Sequence, residues 1–134
     1  MAQLSHAGRA AAALLEHREA IARAVTARLF EEMPELLDKY GQRGWDKCLQ
    51  DMRHTVDHLA PAVELESPAM FVRFAEWCDG VLRARNVPTN ELVRCLELMR
   101  DDVAGRMPAE QSAAVAKSLE AGLGALRGVP SEAV

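Results

Sequence analysis

Aromatic side chains are scarce in this chain, with two Trp, one Tyr and three Phe making up 4% of its 134 residues. No basic block is interleaved with them and the formal charge is -4, so the electrostatic footprint that nucleic acid requires is missing. Long apolar runs are absent too. Nothing approaches the roughly eighteen consecutive apolar residues of a membrane span. The opening MAQLSHAGRA has neither the basic start nor the apolar middle of a signal peptide, so a cytoplasmic protein without membrane contact is expected. Cysteine is sparse and odd in number. Cys48, Cys78 and Cys95 follow no metal-finger spacing and read as free thiols of a reducing compartment, not as a disulfide framework. No alternating Val/Ile/Thr run suggests a strand, and no nucleophile, base and orienting acid are recognisable together, which argues against an enzyme.

What the chain does contain is Ala, Leu, Arg and Glu, with 49% hydrophobic residues, enough for one core. An all-α single domain over 1–128 with a short flexible tail over 129–134 is expected. Proline and glycine divide it into six or seven helices. An Ala-rich helix spans 8–32 and ends at Pro34; a short one through Leu36, Leu37 and Tyr40 stops at Gly41 and Gly44; a third runs over 45–65, with Pro61 kinking or tightening its last turns. Ser67-Pro68 caps a helix bearing Phe71, Phe74, Cys78, Val81 and Leu82, on which Phe71 and Val72 offer an exposed apolar surface for a second subunit. Asn86-Val87-Pro88-Thr89 breaks it, and Thr89 caps a helix with Leu92, Leu96, Met99 and Val103 on one face. Pro108 precedes the last helix, whose stripe is Val115, Leu119, Leu123 and Leu126.

The third helix carries the chemistry. At about 100° per residue, Trp45, Leu49, Met52, Val56, Leu59 and Val63 form one buried stripe, while Gln50, Arg53 and Asp57 face water. Cys48, Asp51, Thr55, His58 and Ala62 share a flank between the two, half-buried and suited to a flat ligand. Lys47 and the first-turn position favour an anionic Cys48. His54 and His58 are one turn apart and can share a face, but no third metal ligand accompanies them. Plain alternatives stand beside each reading: Cys48 as a small core-edge residue, Asp51 as an acid favoured by the helix dipole, His58 as an ordinarily hydrogen-bonded histidine.

Lys47-Cys48-Leu49-Gln50-Asp51 resembles the Lys-Cys-x-Arg-Asp motif of the phycobiliproteins, globin-fold proteins that carry linear tetrapyrroles. "LFEEMPELLDKYGQRGWDKC" before it, "HLAPAVELESPAMFVRFAEWCDGVLRARNVP" after it and "VAKSLEAGLGAL" near the end extend the likeness over about residues 20–126. Gln50 replaces the family's arginine, His54 and Thr55 replace its frequent tyrosines, and too few residues precede the first long helix for the full N-terminal hairpin through which antenna proteins pair. The chain resembles more closely the small bilin biosynthesis-associated globins of non-photosynthetic bacteria. That resemblance implies a globin-like fold binding a bilin, whether biliverdin, phycocyanobilin or a related linear tetrapyrrole, for carriage, storage or sensing without turnover. Cys48 would form a thioether, Asp51 hold the inner nitrogens, and Lys47 and His54 meet propionates. His58 and Thr55 would border the slot, Arg43 fold over it, and Tyr40 and Trp77 pack on the rings. Bilin-biosynthesis enzymes and a second copy of the chain are the partners it suggests. A haem globin using His58, and a globin-like signalling domain that binds nothing, remain as alternatives.

Overall fold

The computed structural model describes residues 5–128, which form helices and connecting turns without a strand. The elements are α1 (His6–Glu16), α2 (Arg18–Glu32), α3 (Glu35–Glu64), α4 (Pro68–Ala84), α5 (Thr89–Ala104) and α6 (Ala109–Arg127). Among the described residues, no helix is long and apolar enough to cross a membrane. The expected tail at 129–134 lies outside the described residues.

The single helix expected over 8–32 is in fact two. Ser5 Oγ accepts from Gly8 N at 3.0 Å to start α1, and the chain bends at His17, with φ -96° and ψ 11°. Hydrogen bonding continues through the bend, since His17 N donates to Ala13 O and Ile21 N to His17 O. The cause is tertiary: α1 packs on α3 and α6, whereas α2 packs on α3 and α5. One straight rod would not follow both pairs.

Gly41 and Gly44 do not stop a helix as expected. Gly41 alone leaves helical geometry, at φ 69° and ψ -168°, and α3 resumes at once beyond it. Gly44 instead makes room, because a Cβ there would lie 2.2 Å from Tyr40 Cβ. Pro61, exposed near the end of α3, leaves helical dihedrals intact although it cannot donate to the carbonyl of Asp57 one turn before it.

Two caps also differ from expectation. Ser67 makes no side-chain cap bond. Thr89 is the first residue of α5, after Pro88, and its hydroxyl donates to Asp79 Oδ1 at 2.7 Å, tying α5 to the 4%-exposed carboxylate of α4. Left-handed Glu66 (φ 51°) and Asn86 (φ 65°) close α3 and α4, where Ser67 N reaches Ala62 O and Val87 N reaches Leu82 O, each at 2.9 Å.

The α3 stripe of Leu49, Met52, Val56, Leu59 and Val63 is buried, and Trp45 packs at its edge with its ring 5.1 Å from that of Phe30. The stripes of α5 and α6 are buried as spaced. Phe71, expected at the surface, is fully buried because α4 lies along α6, where its ring covers Gly122. Val72 is half-buried. The proposed subunit contact therefore loses its main anchor.

Candidate functional site

Two cavities flank the first half of α3. An apolar chamber of about 360 Å³ is walled by Leu29 and Phe30 of α2, Leu36, Tyr40, Cys48 and Met52 of α3, and Leu92 and Cys95 of α5. A more polar groove of about 600 Å³ lies between α3 and α4, with Gln50, His54, His58, Phe74, Trp77 and Cys78 on its walls. Arg43, Lys47, Asp51, Leu82 and Arg85 line both, so the cavities share a common rim. Both volumes fall within the roughly 300–1,000 Å³ usual for small-molecule sites.

The helical period places Cys48 and Asp51 one turn apart, and both border the chamber. Cys48 is half-buried and its thiol is drawn down from the ordinary value, first by the Cys95 thiol and then by the Thr26 hydroxyl, against the opposing effect of burial. Cys95 is pushed up in return by the same contact and by burial. The reason expected from sequence does not hold. Because α3 begins at Glu35 and kinks at Gly41, Cys48 is well past any free N–H groups, and its activating neighbours come from α5 and α2. Cys95, buried on α5, lines the chamber as well. Cys78 borders the groove, and burial pushes it up to about 12.

Asp51 is half-buried, and desolvation raises its carboxyl above the ordinary range, with Arg85 as the principal opposing influence and Lys47 and His54 behind it. Arg85 Nη1 stands 3.8 Å from Asp51 Oδ2. It occupies the rim where Gln50 leaves a cation wanting, for Gln50 is exposed and lies 3.3 Å from His54 Nε2. Arg85 ends α4 immediately before the Asn86 turn, and no local pattern announces that this turn returns to α3.

The remaining site residues are divided among the cavities. Tyr40 lines the chamber, with Lys39 Nζ 4.9 Å from its ring centroid. Arg43 and Lys47 are exposed on the shared rim. His54, His58 and Trp77 belong to the groove, where the His58 ring stacks on Phe74 at 4.4 Å and 13° and the Trp77 ring lies 6.0 Å from Phe74. Thr55 lines neither cavity. It is fully buried, its hydroxyl donating to Asp51 O at 2.8 Å, so the flank closes into core at this turn. Arg53, pointing away as expected, is paired at 2.8 Å with Glu19 of α2. Sequence reading missed Leu82, Arg85, Val87 and Glu91, all brought in by the α4–α5 connection. Among the described residues no three His, Cys, Asp or Glu side chains gather as a metal-binding group.

No curated protein sequence matches the chain. The family model described as phycobilisome protein matches residues 1–126, nearly its whole length, in accord with an all-helical, globin-like fold and with a thiol and a carboxyl on one chamber. This chain belongs to the phycobilisome protein family, whose members are bilin-binding chromophore proteins.

Proposed function

We propose that the protein holds a linear tetrapyrrole, biliverdin or a reduced derivative, lying from the apolar chamber across the shared rim into the groove, and serves to carry, store or sense it without turnover. The observation that carries this reading is that Cys48 and Asp51 border one chamber whose rim continues into a second cavity. The residues present suit such a pigment. Asp51 is a half-buried acid disfavoured as an anion by its surroundings, so a row of pyrrole N–H groups would supply the charge-assisted bonds it lacks. Arg43, Lys47 and Arg85 on the rim are cations for two propionates. Leu29, Phe30, Leu36 and Leu92 keep water from a terminal ring.

Attachment needs a thiolate, and Cys48 has one favoured by its thiol and hydroxyl neighbours. Its Sγ adds to an exocyclic carbon–carbon double bond, forming one C–S bond while the thiol proton passes to the adjacent carbon. No oxidant is consumed. The pigment itself contributes only visible absorption and an electrophilic edge. His58, already stacked on Phe74 in the groove, would border the far end.

The test is co-expression with a haem oxygenase, followed by denaturation and a zinc-stained gel. Pigment migrating with the wild type and absent from Cys48→Ala supports a thioether, whereas pigment washed from both leaves non-covalent binding only. Asp51→Asn should shift the red band to the blue or weaken it. A sharp band in the blue would indicate haem, and a colourless protein would leave a globin-like interaction domain.

A further inference from the structure

The chamber holds a second polar arrangement, apart from Cys48 and Asp51. Tyr40 Oη is buried without a hydrogen-bond partner, and no other buried side-chain oxygen or nitrogen among the described residues stands so. The Glu91 carboxyl on the first turn of α5 lines the same chamber and is 9% exposed. Burial pushes its proton affinity up, against the Lys39 charge and the Tyr40 hydroxyl, which lies beside the carboxyl without meeting hydrogen-bond geometry. The root of the side chain is held, since Tyr40 directly precedes the Gly41 kink and its Cβ occupies the space left by Gly44.

An unpaired buried hydroxyl is costly unless a ligand or water completes it. Tyr40 offers a donor and Glu91 an acceptor. The complementary ligand edge has an acceptor and a donor side by side, which is what a cyclic lactam presents through its C=O and N–H. Each terminal ring of an open-chain tetrapyrrole is such a lactam, and a closed macrocycle has none. We propose that Tyr40 and Glu91 recognise the lactam edge of the chamber's ligand, the phenol donating to the carbonyl and the carboxylate accepting from N–H, so that a terminal ring is set beside Cys48. The inference rests on the pigment reading above and adds to it a means of telling open-chain pigments from closed ones.

The experiment titrates the purified protein, Tyr40→Phe and Glu91→Leu with three probes: biliverdin, its bis-lactim ether, in which both lactams are O-methylated, and a two-ring dipyrrinone. Each variant should bind biliverdin and dipyrrinone about tenfold more weakly, the loss of roughly one hydrogen bond, with affinity for the lactim ether unchanged. Apo Tyr40→Phe should melt no lower than the wild type, because only an unsatisfied hydroxyl is removed. Equal losses for biliverdin and its ether, unchanged biliverdin affinity in Tyr40→Phe, or a lower melting temperature of that apo variant would each overturn the inference. Wild-type binding of biliverdin without these differences leaves the pigment reading standing alone. Dipyrrinone binding that weakens in Tyr40→Phe, without any biliverdin uptake, leaves the lactam site standing and removes the tetrapyrrole. Binding of neither removes both.

Discussion

Gly41 has the most demanding backbone of any described residue. Its φ of 69° and ψ of -168° lie in a region that is essentially glycine's alone. Nothing stands within 4 Å of where its Cβ would be, so a side chain there would meet no clash and the whole penalty of substitution is conformational. Gly41→Ala should therefore destabilise the fold by about 1–3 kcal/mol in urea denaturation. Because the kink aims Tyr40 into the chamber, pigment uptake should fall with it. An alanine variant as stable as the wild type would show that the kink is not required. The sequence revealed glycine at this point but not its use, since a helix stop and a one-residue kink leave the same local signature.

At the scale of elements, α4 and α6 approach most closely where α6 has no side chain. A Cβ at Gly122 would fall 2.8 and 2.9 Å from two atoms of the Phe71 ring and 3.5 Å from Ala75 Cβ. Phe71 is fully buried and cannot swing aside. Gly122→Ala should cost about 1–3 kcal/mol through overpacking, in spite of alanine's better helix propensity. Gly124, two residues on, is exposed with nothing within 4 Å of a Cβ, so Gly124→Ala should stabilise α6 by roughly 0.5–1 kcal/mol. Paired thermal melts would check both, and equal effects at the two positions would refute the packing argument. The same α4–α6 contact buries Phe71, against the surface position expected from sequence: its helix has apolar residues on more than one face, and the approach of α6 at Gly122 covers this one.

For the whole molecule, helices are linked at the surface by arginine–carboxylate pairs: Arg18 with Asp57, Arg53 with Glu19, Arg94 with Glu32, and Arg127 with Glu97. Hydrogen bonds from these arginines hold Asp57, Glu32 and Glu97 below their ordinary values and Glu19 down to about 2 from 4.5. An acid whose folded value is depressed lends stability above its unfolded value and loses it as pH falls toward the folded one. Asp51 and Glu91, raised by burial, act oppositely: they oppose folding as pH rises past their ordinary values and cease to do so in acid. Four depressed acids against two raised ones make stability fall from about pH 4.5 toward pH 2. High salt should shallow that decline, as the paired groups are largely exposed. A urea midpoint that stays level to pH 3 would contradict this balance.

Composition and the 3.6-residue period were sufficient for an all-helical chain, for the buried stripes of α3, α5 and α6, and for setting Cys48 and Asp51 on one flank, because these depend on spacing within a single helix. The bend at His17, the arrival of Arg85 and Glu91 at the site, the withdrawal of Thr55 into the core and the activation of Cys48 by Cys95 and Thr26 each join residues from different helices. Such contacts are settled by how helices pack and turn back on one another, and no pattern inside one segment records them.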